Sequence, residues 1–447
     1  MKIIGNGRLI TRNNENPLID NGAVVVEGNL VKDFGTTQDI LEKYKNEKHE
    51  YLDVKGQVIM PGLINTHMHI YSAFARGMNI EGAPVNKDFD DILENLWWKL
   101  DKVLNMEDVK YSAYATYIDC IKNGVTTVFD HHASQNAVTG SLFQIADVAK
   151  ELGIRTNLCY EVTDRDGEQR TKEAIKENID FIKHANNDKT DMIKGMLGLH
   201  ASFTVSDKTL DMCVDEMGSL NAGFHVHTAE GINDTRRSLR DYGKRVVNRF
   251  YDKGILGEKS IAVHCIHINN EEMDILKDTN TIVVHNPESN MGNAVGCQST
   301  IKLMEKDIML GLGTDGYTGD MYESLKVGNI IHKHNLNDPA VAWGEIPTML
   351  FENNRTIANR FFDTPLGTIK KDAAADIVVV DYDPLTPLTE GNMNSHILFG
   401  MQGRMTTTTM INGEFVMKDR ELLVADEKEI FHKSRIVCTD FWKRINS

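Results

Sequence analysis

Sixteen histidines occur in this 447-residue chain, and many of them sit at the ends of short apolar runs. His67 and His69 close the run VIMPGLINTHMH, residues 58–69. On an extended strand the side-chain period is two, so the two imidazoles leave the backbone on one face. Two imidazoles at one strand end can chelate a metal ion before any loop is ordered. His131, His132, His200, His225, His227, His264 and His285 end similar runs, and Asp315 ends the last of them, IMLGLGTD. His67, His69, one histidine of the fifth run and Asp315 together form a mixed nitrogen and oxygen donor set. Such a set suits zinc, or iron(II) with similar geometry. A divalent ion held this way turns water into a nucleophile near neutral pH, which is the chemistry of hydrolysis.

Residues so far apart in sequence need a frame that brings many strand ends to one place. The apolar runs VIMPGLINTH, GVTTVFDHH, RTNLCYEVT, MIKGMLGLH, AGFHVHTAE, SIAVHC, TIVVHN and IMLGLGTD alternate with charged stretches of helical pattern such as TKEAIKENIDFIKHA. Eight strand–helix units of this kind predict an α/β fold, a (β/α)8 TIM-like barrel over 58–365, with the chemistry at the C-terminal strand ends. The longest connection, 70–123, reads as two helices. The two ends of the chain differ from the middle. Residues 1–57 and the stretch from 366 onward are β-rich and punctuated by Asn-Gly and Glu-Gly turns. They predict one small β-sandwich built from both termini, 1–57 with 366–447, closed by a helix over the last twenty or so residues.

Composition narrows the class. The chain is 41% hydrophobic and 26% charged, as expected of a soluble globular protein. A net charge of −16 argues against nucleic acid, because phosphate neutralisation needs a basic surface. The six cysteines are scattered without a CxxC pair, which argues against a disulfide framework and for a reducing cytoplasm. The N-terminus lacks the apolar core of a signal peptide, and no apolar run of about 18 residues offers a membrane span. The expected partner is a small-molecule substrate, and the expected assembly is a homo-oligomer, a dimer.

PGLINTHMH, HTAE, HNPESN and GLGTDG, in this order and spacing, resemble the amidohydrolase superfamily. They are most similar to its aminohydrolase branch, the deaminases and chlorohydrolases of purines, pyrimidines and triazines. ARGM, NLWWKLD and FDHHAS resemble the SsnA-type aminohydrolases of that branch. The resemblance covers essentially the whole chain, the terminal β-sandwich included. It implies that His67, His69, His227 and Asp315 are metal ligands, His227 being chosen over His225 because HTAE matches the family's HxxE. It implies that Glu230 is the proton shuttle, that His264 contacts substrate or the activated water, and that Asp315 is also a base. His200 stands where related deaminases place a substrate histidine, and Arg76 is a candidate anchor for a carboxylate or carbonyl.

The activity implied is hydrolytic deamination of an amino-substituted nitrogen heterocycle, a purine, pterin, pyrimidine or triazine. Asp315 takes a proton from the activated water, Glu230 protonates the ring nitrogen, and His264 is a fixed donor to the tetrahedral centre. The alternative is a cyclic amide or imide hydrolase, or a chlorohydrolase, of the same superfamily. One divalent ion is expected, zinc with iron(II) second. The fourth run ends in Leu199-His200 rather than in a lysine that could be carboxylated, and Lys194 lies too early to reach the rim. Glu161 is the nearby acid that could bridge a pair. Gly292-Asn293 stand where the family commonly continues with Lys-Leu. His131 and His132 are not general to deaminases, and their roles stay open.

Overall fold

The computed structural model describes residues 1–447. The chain opens with β1 (Lys2–Ile10), β2 (Leu18–Glu27), β3 (Leu30–Thr36), β4 (Glu50–Asp53) and β5 (Val58–Pro61). Then come β6 (Leu63–Met68), β7 (Val125–His132), β8 (Arg155–Tyr160), β9 (Ile193–Gly195), β10 (Leu197–Ala201), β11 (Phe224–Thr228), β12 (Ile261–His264), β13 (Ile282–His285) and β14 (Leu310–Leu312). It ends with β15 (Ile377–Val380), β16 (Thr406–Ile411), β17 (Glu414–Lys418), β18 (Glu421–Leu422) and the helix Glu427–Ile445.

Strands β6 to β9 pair in parallel and in sequence order, and so do β10 to β14. β9 and β10 are two pieces of one strand interrupted at Met196, so the ring has eight strands. Parallel bridges Val162–Leu199 and Met68–Asp315 join the two groups and close it. At the closing seam the amides of Thr314 and Asp315 donate to the His67 carbonyl at 3.0 and 3.1 Å. The eight apolar runs are the eight strands, in the predicted order. They read as continuous apolar stretches because a parallel sheet under helices is buried on both faces. Alternate residues divide accordingly. Ala262 and Val283 join the large cluster under the helices, while Ile261, Val263, Ile282 and Val284 join a second cluster with Phe129, Met196 and Phe361.

The terminal sheet has the strand order β18-β17-β16-β15-β5-β1-β2-β3, with β4 also paired to β1. Ile4, Val24, Ile59, Ile377 and Val379 form its dry core. The β16–β17 turn is Asn412-Gly413, both at positive φ (50° and 79°), as a two-residue hairpin of right-handed twist requires.

One expected boundary moves. The run 58–68, read as a single barrel strand, is divided at Gly62. Val58–Pro61 pairs with β1 and β15 in the terminal sheet, and only Leu63–Met68 pairs with β7. The barrel therefore begins at Leu63 rather than at 58. A Cβ at Gly62 would lie 2.2 Å from Thr126, so the crossing between the two sheets has no room for a side chain. The closing helix Glu427–Ile445 forms as expected, but its Val437 and Phe441 pack with Tyr71, Phe74, Leu100 and Leu104 of the connection after β6. Arg444 pairs with the buried Asp108 at 2.6 Å and secures that contact. No helix is long and apolar enough to cross a membrane.

Candidate metal and active site

The strand ends place His67 and His69 (end of β6), His227 (β11), His264 (end of β12) and Asp315 (just past β14) around one buried space. His69 Nε2 lies 3.0 Å from Asp315 Oδ1 and 3.2 Å from His227 Nε2. His67 Nε2 lies 3.8 Å from the same carboxylate oxygen. Ligand atoms of His67, His69 and Asp315 fall within 4.8 Å of one another, as do those of His67, His227 and His264.

Each ring is turned by a partner on its far side. His67 Nδ1 is 2.9 Å from His225 Nε2, and His69 Nδ1 is 2.5 Å from the His131 carbonyl. A ring whose Nδ1–H is committed to an acceptor presents Nε2 as a lone pair, the usual arrangement behind metal-binding histidine. His67 Nε2 is buried and has no hydrogen-bond partner at all. A buried polar atom left alone is costly, and a bound cation removes that cost. Imidazole nitrogens and a carboxylate are the donor types that suit a divalent ion of the zinc kind, and here they form two overlapping groups that share His67.

Burial, with mutual repulsion among the rings, pushes His67 and His227 far below the usual imidazole range, so both are neutral, the state in which an imidazole can bind a metal. For His69 burial works in the same direction, but the hydrogen bond to Asp315 and the Asp315 and Glu161 charges outweigh it and raise the ring to about 9. Burial likewise opposes ionisation of Asp315, yet His69, His264 and Ser289 hold its carboxyl well below the usual range. A proton and a divalent cation compete for that position. Asp315 and His264 both have left-handed backbone, φ 55° and 70°. Strain of this kind is tolerated where surrounding contacts over-determine a side chain's aim.

Glu230 faces the same space. Its Oε2 is 3.3 Å from His264 Nε2, which is also 3.6 Å from Asp315 Oδ2 and forms a hydrogen bond with neither. Burial first, and the Asp315 charge second, push the Glu230 carboxyl well up. Asn293 donates to Glu230 Oε1 (3.4 Å) and to Ser289 Oγ (3.2 Å), and Ser289 donates to Asp315 Oδ2. The Gly292-Asn293 departure thus has a physical account. Asn293 supports Glu230, and a Cβ at Gly292 would lie 1.7 Å from the Tyr317 hydroxyl.

Glu161 and His200 form the wall across from Glu230. Glu161 Oε1 is 3.0 Å from His131 Nδ1 and 3.6 Å from His69 Nδ1, and its Oε2 is 3.9 Å from His200 Nε2. Burial would raise this carboxyl, but His131, His200 and His69 outweigh it and hold it at about 2. His131 Nε2 in turn lies 2.9 Å from the His225 carbonyl. His131 and His225 thus spend these nitrogens on Glu161, the His225 carbonyl and the His67 ring. His132 is spent on Ser134 (2.9 Å), and Lys194 pairs with Asp191 and Asp363 away from the cluster.

Arg76 is not brought to the cluster. Its exposed side chain lies 3.8 Å from Asp119, in an outer cleft. The inner pocket is lined by aromatic side chains, Tyr71, Trp97, Trp98, Phe203 and Tyr317 among them, with His200 and Glu161. Arg165 stacks 4.7 Å from the Trp98 ring and pairs with Asp101 at 2.6 Å, and no lysine or arginine lines the pocket itself. The sequence reading passed over Ser289 and Asn290, and named Asn293 only as part of a departure from the family pattern. Both overlooked residues lie inside the HNPESN motif, which was the available signal.

A sequence model described as the amidohydrolase family matches residues 58–416. A 5'-deoxyadenosine deaminase of Methanococcus maripaludis is 30% identical over 91% of this chain and 94% of its own. A 5-methylthioadenosine/S-adenosylhomocysteine deaminase of Halothermothrix orenii is 28% identical over 95% and 96%. Among solved structures, a zinc-bound adenosine deaminase from Xanthomonas campestris superposes with a TM-score of 0.84 at 21% identity, covering 99% of this chain and 98% of that one. Zinc-bound atrazine chlorohydrolase from Arthrobacter aurescens superposes at 0.82 and 18% identity, covering 98% and 100%.

Proposed function

The chain belongs to the amidohydrolase family, and from that premise we propose that it is a zinc-dependent deaminase of an adenosine-like amino heterocycle, releasing ammonia. The observation that carries this reading is the placement of Glu230. Its carboxyl stands 3.3 Å from His264 and groups with His264 and Asp315, next to the ligand atoms of His67 and His69. The named relatives, deaminases along almost their full length, support the substrate class. The aromatic pocket supports a flat ring, and its lack of lysine and arginine supports a substrate without an anionic group at that depth.

His67, His69 and His227 through Nε2, with Asp315 through Oδ1, would hold one divalent ion. The ion would supply Lewis-acid activation of a water molecule. Asp315, anionic at neutral pH, accepts the proton of the attacking water. Glu230, kept protonated by burial, delivers a proton to the ring nitrogen next to the carbon under attack. The aromatic side chains hold the ring over that carboxyl and keep bulk water out. His200 presents Nε2 to the pocket while Thr204 Oγ1 occupies its Nδ1 at 2.7 Å, so it is oriented to contact substrate. The six unpaired cysteines support a reducing compartment, and the acidic surface supports small-molecule rather than nucleic-acid chemistry.

The test is ammonia release by the zinc-loaded chain from adenosine, 5'-deoxyadenosine, guanine, amino-pterins and amino-triazines. Ammonia with an intact ring is the expected product. Chloride release from a chlorotriazine, or a ring-opened product from a cyclic amide, in the absence of any deamination would overturn the reading.

A further inference from the structure

Two buried histidines have no part in the chemistry above. His285 and His332, each 1% exposed, come from β13 and the helix Met321–Leu336. They face each other through Nε2 atoms 3.0 Å apart. His285 Nδ1 lies 3.3 Å from Asn290 Nδ2, and the other end of that amide, Oδ1, lies 2.9 Å from His264 Nδ1. At the far end His332 Nδ1 lies 3.6 Å from Cys297 Sγ. The next residue, Gln298, donates through Nε2 to the His264 backbone carbonyl. One loop thus holds both the far end of the hydrogen-bonded row and the backbone of the ring at its near end.

A row of neutral imidazoles joined by an amide has only two self-consistent proton arrangements, because each ring carries one N–H and one lone pair. The Cys297 end chooses between them. Its thiol stays protonated, burial pushing it up to about 11, and the Sγ–H has an acceptor in the Gln298 carbonyl at 3.7 Å. His332 Nδ1 must then donate to the sulfur, and His332 Nε2 accepts from His285 Nε2–H. His285 Nδ1 accepts from the Asn290 amide, whose oxygen accepts from His264 Nδ1–H. The His264 end agrees. Its Nε2 is buried, unpartnered and within 4.8 Å of the His67 and His227 ligand atoms, where a lone pair suits a neighbouring cation and an N–H does not.

We infer that His332 and His285 are positioning residues which, through Asn290, lock His264 as the Nδ1–H tautomer with its Nε2 lone pair aimed at the reacting centre. His264 is then a hydrogen-bond acceptor for the attacking water, not the donor to the tetrahedral centre that the sequence alone suggested. The inference rests on the reading of His264 as a catalytic group, but its first test needs no turnover.

The zinc-loaded full chain is labelled with 15N-histidine, and the His264 signals are assigned by their loss in His264→Asn. Wild type should show a protonated Nδ1 and a bare Nε2 at His264. His332→Phe, which removes the acceptor of His285 Nε2–H, should turn this into a mixture of tautomers while one zinc per chain is retained. With a substrate in hand, kcat should fall about 10-fold or more with KM little changed. His332→Gln, whose side-chain oxygen restores the acceptor, should recover most of both signals. A protonated Nε2 in the wild type, an unmoved tautomer in His332→Phe, or a glutamine variant as poor as the phenylalanine one overturns the inference. If His332→Phe does not fold, Cys297→Val breaks the same row from its outer end and is read in the same way. An inactive but correctly tautomeric wild type would count against the proposed function alone.

Discussion

The rim of the barrel and the terminal sheet are both buried, and they are buried for opposite reasons. In the terminal sheet Ile4, Val24, Ile59, Ile377 and Val379 pack aliphatic groups against one another, and nothing there titrates. At the rim His67, His69, His227, His264, Glu161, Glu230 and Asp315 are buried too, with the Nε2 atoms of His67 and His264 left without a hydrogen-bond partner. The first arrangement is stabilised by removing apolar area from water. The second costs desolvation, which its hydrogen bonds and a cation must offset. The contrast teaches that substitutions at the rim should change chemistry and metal affinity far more than folding, and substitutions in the terminal sheet the reverse.

The sharpest way to break that contrast is Asp315→Asn. Asparagine keeps the volume but loses the charge and the basic oxygen, so turnover should vanish and bound metal should fall, with the melting transition of the barrel still cooperative. Near-normal rates with full metal would remove Asp315 from the water-activating role. Next comes Glu230→Gln, which should keep its metal and its substrate affinity while kcat drops by about 10²–10⁴. Loss of metal in this variant would place Glu230 among the ligands instead. Glu161→Gln is milder. It removes the charge behind His131 and beside His69, so zinc affinity measured by competition with a chelator should weaken by about 10- to 100-fold. An unchanged affinity would mean that the opposite wall does not support the ligands.

On the other side of the contrast, Ile59→Ala should cost about 2–5 kcal/mol in urea unfolding and leave kcat/KM of the surviving folded protein as it was. A large loss of activity at full folding would show that the sheet transmits to the rim. The smallest effect concerns His132, buried beside the rim and held neutral, its ring pulled down by burial to about 3. The unfolded chain binds a proton there below about 6.5 while the folded one does not, so stability falls as pH drops through that value, by at most about 1.4 kcal/mol per pH unit. His132→Asn should remove that share of the acid-side slope, measured as urea midpoints between pH 7 and 5. An identical slope in the variant would mean that His132 is protonated in the folded state.

Much of the frame was legible. Eight apolar runs separated by helical stretches imply eight parallel strands, because a strand buried on both faces has no polar alternation to show. The HMH spacing put His67 and His69 on one side of β6, because the side-chain period of a strand is two. The division at Gly62 was not legible, since VIMPGLINTH is uniformly apolar and nothing in a single run says that two different sheets share it. Arg76 looked like a binding group from its place after the first strand, but the helices of the connection carry it to the outer cleft, where it stays exposed.

The sequence by itself determined which residue types stand at the strand ends, how they alternate along each strand, and hence that imidazoles and carboxylates share the barrel's C-terminal face. Only the tertiary structure decided what each of them touches. The sequence left the role of His131 open, and the structure shows it spending both nitrogens on Glu161 and a backbone carbonyl while His227 turns Nε2 toward His69. His285 is far from His332 in the chain and 3.0 Å from it in space. Periodicity is a local property of the backbone and survives in the sequence. The aim of a ring nitrogen is set by partners up to hundreds of residues away, and it exists only once the ring of strands has closed.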